Sequence, residues 1–210
     1  MALTTRDLAT YGPVIPVIVI HRTEDAVPLA KALVAGGVRV LEITLRTPVA
    51  IEAIHQIVGA VPEAIVGAGT VRSAEDARAA KLAGCQFAVS PGYLPEIGDE
   101  CFEIELPLLP GVSTATEVLS AWTEGYDFLK LFPASAVGGV GLLKALAGPF
   151  PDVAFCPTGG ITAATAPEYL ALPNVLACGG SWLVPDADIQ AGNWAHITQL
   201  AAEAQSLRRA

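Results

Sequence analysis

At 210 residues, 52% hydrophobic and 16% charged, the chain has the composition of one globular domain and lies far from the disordered regime. Its formal net charge of −9 argues against nucleic acid, whose phosphates need a basic stripe that this sequence does not show, and no uninterrupted apolar run approaches the roughly 20 residues of a membrane span. The first residues, Met1-Ala2-Leu3-Thr4-Thr5-Arg6, lack a basic segment followed by an apolar block, so a cytoplasmic protein is expected.

From the amino end, Leu3, Leu8 and Tyr11 predict a short helix that plugs the bottom of a barrel. β-Branched runs closed by Gly, Pro or Thr then mark strands at 14–20, 38–43, 65–69, 86–90, 106–110, 126–132, 153–156 and 175–178. Ala- and Leu-rich stretches with helical spacing fill the intervals at 24–36, 48–59, 73–83, 94–100, 114–124, 139–147 and 163–171, with a last one at 187–208. Nearly continuous apolar strands separated by helices mean a parallel sheet covered by helices. Eight such units predict a closed (β/α)8 TIM barrel with a short N-terminal helix, an α/β fold in which residues 1–210 form a single catalytic domain. An open doubly wound sheet is the competing topology. Its dinucleotide fingerprint is missing, because Gly67-Ala68-Gly69-Thr70-Val71-Arg72 has no third glycine.

In a barrel the chemistry collects where the strands end. The second strand closes in Glu42-Ile43-Thr44-Leu45-Arg46, and period-2 alternation aims Glu42 and Thr44, and Arg46 if the strand runs that far, to the same inner side. An inward carboxylate there either serves chemistry or pairs with Arg46 to close the barrel mouth. The third strand ends in Gly67-Ala68-Gly69-Thr70, the fourth in Ser90-Pro91-Gly92, and the fifth is followed by Ser113 and Thr114, which suit the N-cap of the next helix.

The sixth strand carries the most informative residue, Lys130, inside the apolar run Phe128-Leu129-Lys130-Leu131-Phe132. The other lysines, Lys31, Lys81 and Lys144, fall on helical stretches where an ammonium reaches solvent. Alternation places Phe128 and Phe132 on the same face as Lys130, so two aromatics desolvate its amine, the setting of a Schiff-base nucleophile. A lysine that snorkels out of a sheet edge is the plainer alternative. The seventh strand closes in Thr158-Gly159-Gly160 and the eighth in Gly179-Gly180-Ser181; such glycine pairs are either tight loops or exposed amides that hold a phosphate.

The cysteines, Cys85, Cys101, Cys156 and Cys178, form no CxxC pair and are expected as buried free thiols. His21, His55 and His196 are too scattered for a zinc site, so no metal and no cofactor are expected.

Several blocks in combination resemble the bacterial 2-dehydro-3-deoxy-6-phosphogluconate (KDPG) aldolase family, which also acts as 4-hydroxy-2-oxoglutarate (KHG) aldolase. They run from Leu41-Glu42-Ile43-Thr44-Leu45-Arg46-Thr47 through Gly67-Ala68-Gly69-Thr70, Ser90-Pro91-Gly92 and Leu129-Lys130-Leu131-Phe132-Pro133-Ala134 to Cys156-Pro157-Thr158-Gly159-Gly160 and Gly179-Gly180-Ser181-Trp182. The resemblance implies a metal-independent class I aldolase of the Entner–Doudoroff route that splits a phosphorylated 2-keto acid into pyruvate and glyceraldehyde 3-phosphate, and a homotrimer. It implies that Lys130 forms the imine and that Glu42 is the general acid/base. Arg46 and Thr70 would hold the carboxylate end, Pro91 and Phe132 would pack the pocket, and Thr158, Gly159, Gly160, Gly179, Gly180 and Ser181 would surround the distal phosphate. Ser135 stands where the family pattern has an acidic residue. On the residues alone, a phosphosugar isomerase, a metal-dependent aldolase and a silent sugar-phosphate binding protein stay open.

Overall fold

Strand and helix alternate along the whole of the computed structural model, which describes residues 3–207. A short helix, α1 (Thr5–Leu8), is followed by β1 (Val14–Ile18), α2 (Thr23–Ala35), β2 (Val40–Thr44), α3 (Ala50–Ala60), β3 (Ile65–Gly69), α4 (Ala74–Leu82), β4 (Phe87–Val89) and α5 (Pro95–Glu103). Then come β5 (Leu108–Leu109), β6 (Gly111–Val112), α6 (Ala115–Thr123), β7 (Phe128–Leu131), α7 (Gly139–Leu146), β8 (Ala154–Pro157), α8 (Ala166–Leu170), β9 (Cys178–Gly180), α9 (Asp186–Ala191) and α10 (Trp194–Gln205). No helix among the described residues is long and apolar enough to cross a membrane.

The strands are parallel and run in the order β5-β4-β3-β2-β1-β9 on one side and β6-β7-β8 on the other. The fifth strand, expected at 106–110, is β5 and stops before Pro110, and a further short strand, β6, follows beyond that residue. Proline has no N–H to give the ladder, so β5 pairs with β4 and β6 with β7, while the Pro110 carbonyl accepts from the Lys130 amide at 2.8 Å. Bridges Phe155↔Val175 and Thr158↔Gly179 join β8 to β9. The circuit therefore closes as a (β/α)8 barrel, and the open doubly wound alternative is set aside. The last helix expected, 187–208, ends beyond the described residues; within them it is two helices, parted where Gly192 takes a left-handed φ of 66°.

Alternation sorts the side chains. Ile15, Val40, Ile65, Phe87, Val89, Leu109, Phe128, Ala154 and Cys156 fill the barrel, while Leu41, Ile43, Val66 and Ala68 pack outward against the helices. Each large apolar side chain buried this way contributes about 1.5–3 kcal/mol. Two interior glycines on β3 leave room for neighbours. A Cβ on Gly67 would lie 2.4 Å from the Phe87 ring, and one on Gly69 would lie 2.3 Å from Oε1 of Glu42.

The bottom is plugged as expected. Thr4 and Asp7 form a capping box on α1, Leu8 enters the interior cluster, and Leu3 and Tyr11 pack against it. Arg6 pins this plug to the barrel through Asp127 Oδ2 at 2.7 Å.

Candidate active site

The site begins with Glu42 on β2 and Lys130 on β7. Both alternate into the barrel, and the Lys130 Nζ lies 3.1 Å from Oε1 of Glu42, with each side chain only 4% exposed. The second carboxylate oxygen of Glu42 makes no hydrogen bond to another described residue. The ring of Phe132 sits over the amine, its centroid 5.3 Å from Nζ. Phe128 belongs to the interior cluster below, and the register partner of Lys130 on β8 is Cys156, whose thiol burial pushes up to about 12. Lys130 therefore does not snorkel outward. The lysines expected on the surface, Lys31, Lys81 and Lys144, are exposed.

Arg46 does not close the mouth on Glu42. β2 ends at Thr44, whose hydroxyl donates to the Ile18 carbonyl at 2.8 Å, so the alternation stops there and Arg46 projects from the following turn. Its Nε donates to Thr70 Oγ1 at 3.1 Å. Thr70 holds that hydroxyl from a left-handed backbone, φ 62°, rare for a β-branched residue. The Pro91 main chain packs beside the site against Gly111, the register partner of Lys130 on β6, where an added Cβ would meet the Pro91 carbonyl at 2.4 Å.

A cleft of about 410 Å³ opens over the carboxyl ends of the strands. Its wall brings together Arg46, Phe132, Thr158, Gly159, Gly160, Gly179, Gly180 and Ser181. Lys130, Glu42, Thr70 and Pro91 are not in this wall; Phe132, which lines the cleft and covers Nζ, connects it with the buried pair. The two glycine pairs have different causes. Gly159 and Gly160 have φ of 100° and 73°, which only glycine adopts without strain. Gly179 and Gly180 lie within β9 rather than in a loop, where added Cβ atoms would strike Thr158 Oγ1 at 2.2 Å and the Trp182 ring at 1.8 Å.

Asp186 also lines the cleft, although nothing in its local pattern singles it out. The usable signal is its position shortly after the last barrel strand, where barrel chemistry gathers. Thr114 is the N-cap foreseen for α6, completed by Glu117 as a capping box. The cysteines are free and buried.

A closed parallel barrel with a buried lysine and carboxylate in contact below its carboxyl-end mouth is the arrangement of an imine-forming, class I aldolase. The profile of the KDPG and KHG aldolase family matches residues 6–200, and the chain belongs to that family. It is 52% identical over 201 residues to the KHG/KDPG aldolase of Escherichia coli (strain K12), covering 96% of this chain and 94% of that protein. The 2-dehydro-3-deoxy-phosphogluconate aldolase of Pseudoalteromonas atlantica is 50% identical over 202 residues, with the same 96% and 94% coverage. Among solved structures, the KDPG aldolase of Legionella pneumophila, with pyruvate captured at low pH as a covalent carbinolamine intermediate, superimposes with a TM-score of 0.95 at 46% identity, covering 97% of this chain and 98% of that one.

Proposed function

We propose that this chain is the class I aldolase that cleaves 2-dehydro-3-deoxy-6-phosphogluconate to pyruvate and glyceraldehyde 3-phosphate, and that it splits 4-hydroxy-2-oxoglutarate to pyruvate and glyoxylate by the same route. The observation that carries this reading is the buried contact between Lys130 and Glu42. In the reaction, the Lys130 ammonium surrenders a proton to Glu42 and the neutral amine attacks the C2 ketone. Glu42 gives that proton to the departing carbinolamine hydroxyl, so loss of water leaves a cationic imine and a Glu42 carboxylate. This imine draws in the electron pair released as the C3–C4 bond breaks, while Glu42, acting through water, takes the C4 hydroxyl proton and the aldehyde leaves. The remaining enamine takes a proton at C3, and hydrolysis frees pyruvate and the amine.

Arg46, with Thr70 steering its guanidinium, holds the substrate carboxylate; a planar donor fork suits that anion. Pro91 and Phe132 pack the reacting carbons. The distal phosphate sits among Thr158, the left-handed Gly159 and Gly160, Gly179, Gly180 and the hydroxyl of Ser181. The whole chain acts as one catalytic domain. It assembles as a homotrimer, a reading supported by Leu82 and Phe102, each 86% exposed, with half-exposed Leu119 and Trp122 on the neighbouring helix α6. It works in the cytoplasm, where free thiols persist.

Borohydride added together with pyruvate should reduce the imine and fix a three-carbon adduct on Lys130, located by peptide mass mapping. Intact protein that takes no label, or takes it elsewhere, overturns the reading. Of the two substrates, the phosphorylated one should show the higher kcat/KM.

A further inference from the structure

We infer that Asp186 is a specificity-determining residue whose carboxylate, set in the wall of the distal cleft, weakens this enzyme's grip on a substrate that ends in a phosphate. The inference rests on the proposed placement of the distal group among the glycine pairs.

The ionisable residues lining the cleft are Arg46 and Asp186. They stand on different sides of it. Arg46 follows β2 and is turned toward Thr70 of β3, whereas Asp186 opens α9, a few residues beyond the glycines of β9; β1 lies between those two strands in the sheet. The cation therefore belongs to the carboxylate end, and the acid shares its side with Gly179, Gly180 and Ser181.

Asp186 is also uncommitted. Its neighbour Asp188 spends both oxygens, Oδ1 accepting from Asn193 Nδ2 at 2.8 Å and Oδ2 meeting His196 Nδ1 at 3.0 Å. The Asp186 carboxylate makes no hydrogen bond or ion pair with another described residue, and Asp186 is exposed. An unneutralised carboxylate thus faces the space where a phosphate dianion would be held by backbone amides and a serine hydroxyl, with no lysine or arginine in that part of the wall. Like charges across a wet cleft repel, and discrimination between ligands is commonly built from such a repulsive element. The consequence is a distal pocket that accepts a phosphate monoester but gains less from it than its donors alone would give. Substrates ending in a hydroxyl or other uncharged group are penalised less by comparison.

The test is Asp186→Asn in the full chain, with kcat/KM for the phosphorylated substrate and the rate of borohydride trapping of pyruvate, which has no distal group, measured at low and high salt. The expected result is a rise in kcat/KM for the phosphorylated substrate, through KM, that exceeds any change in pyruvate trapping by about three- to tenfold at low ionic strength and shrinks as salt screens the charge. An unchanged or lowered kcat/KM overturns the inference, as does an equal change in pyruvate trapping. If the wild-type enzyme traps pyruvate yet its use of the phosphorylated substrate ignores Asp186, only this inference fails. A wild-type enzyme that does not trap pyruvate brings down the functional reading as well.

Discussion

Lys130 Nζ and Glu42 Oε1 meet at 3.1 Å across the barrel, although 88 residues separate them in the chain. Each charge has been taken out of water, which costs several kcal/mol apiece and is offset only while the other stays in place. The pair is therefore a structural unit as well as a chemical one.

Lys130→Met should reduce kcat by at least about a thousandfold and destabilise the fold by about 3–5 kcal/mol, because Glu42 is left buried without its partner. Adding Glu42→Gln should restore part of that stability and none of the activity. Denaturant melts of the single and double variants check this; equal stability of the two would show that the pair contributes nothing to folding.

Two alanine substitutions on one strand should fail in different ways. Gly69→Ala places its Cβ on the Glu42 carboxylate and should abolish imine trapping by displacing that group. Gly67→Ala presses on the Phe87 ring and should lower stability by about 1–3 kcal/mol as overpacking, with a smaller effect on trapping. The comparison is read from melting curves and trapping rates side by side.

Arg46→Lys keeps the charge but loses the planar fork that Thr70 orients. We expect KM to rise about ten- to a hundredfold for both keto-acid substrates, with a smaller change in kcat. A variant with an unaltered KM would move the carboxylate site away from Arg46.

Burial raises the thiols of Cys85 and Cys156 to about 12, against about 8.5 in an unfolded chain. Below about pH 8.5 both states carry neutral thiols and the stability is whole; above it only the unfolded state ionises, so stability falls until the folded thiols ionise near 12. Each group steepens the decline by up to about 1.4 kcal/mol per pH unit. Cys85→Ala should flatten the alkaline limb of a plot of Tm against pH, and an unchanged slope would contradict the assignment.

On the proposal that the chain forms a homotrimer through the exposed Phe102 of α5, the unaltered protein should sediment as a trimer and Phe102→Glu as a monomer, with the barrel still folded by circular dichroism. Equal sedimentation coefficients for the two would overturn that reading.

Strand and helix positions could be read without coordinates because their periods are local properties of the backbone. Alternation turned Lys130 and Glu42 inward, the apolar spacing of the first residues marked the plug that holds Leu8, and the hydroxyl residues before α6 marked its cap, which is Thr114. The actual meeting of amine and carboxylate was decided only by the closed barrel. It depends on the register of β2 against its neighbours and on the curvature that carries the sheet round to β7, summed over many hydrogen bonds between distant segments. The same holds for the break at Pro110, for Arg46 turning to Thr70 instead of Glu42, and for Trp182 packing onto Gly180. Asp186 reaches the cleft for that reason too: its place is set by how α9 docks beside β9, and no spacing within its own segment encodes that contact.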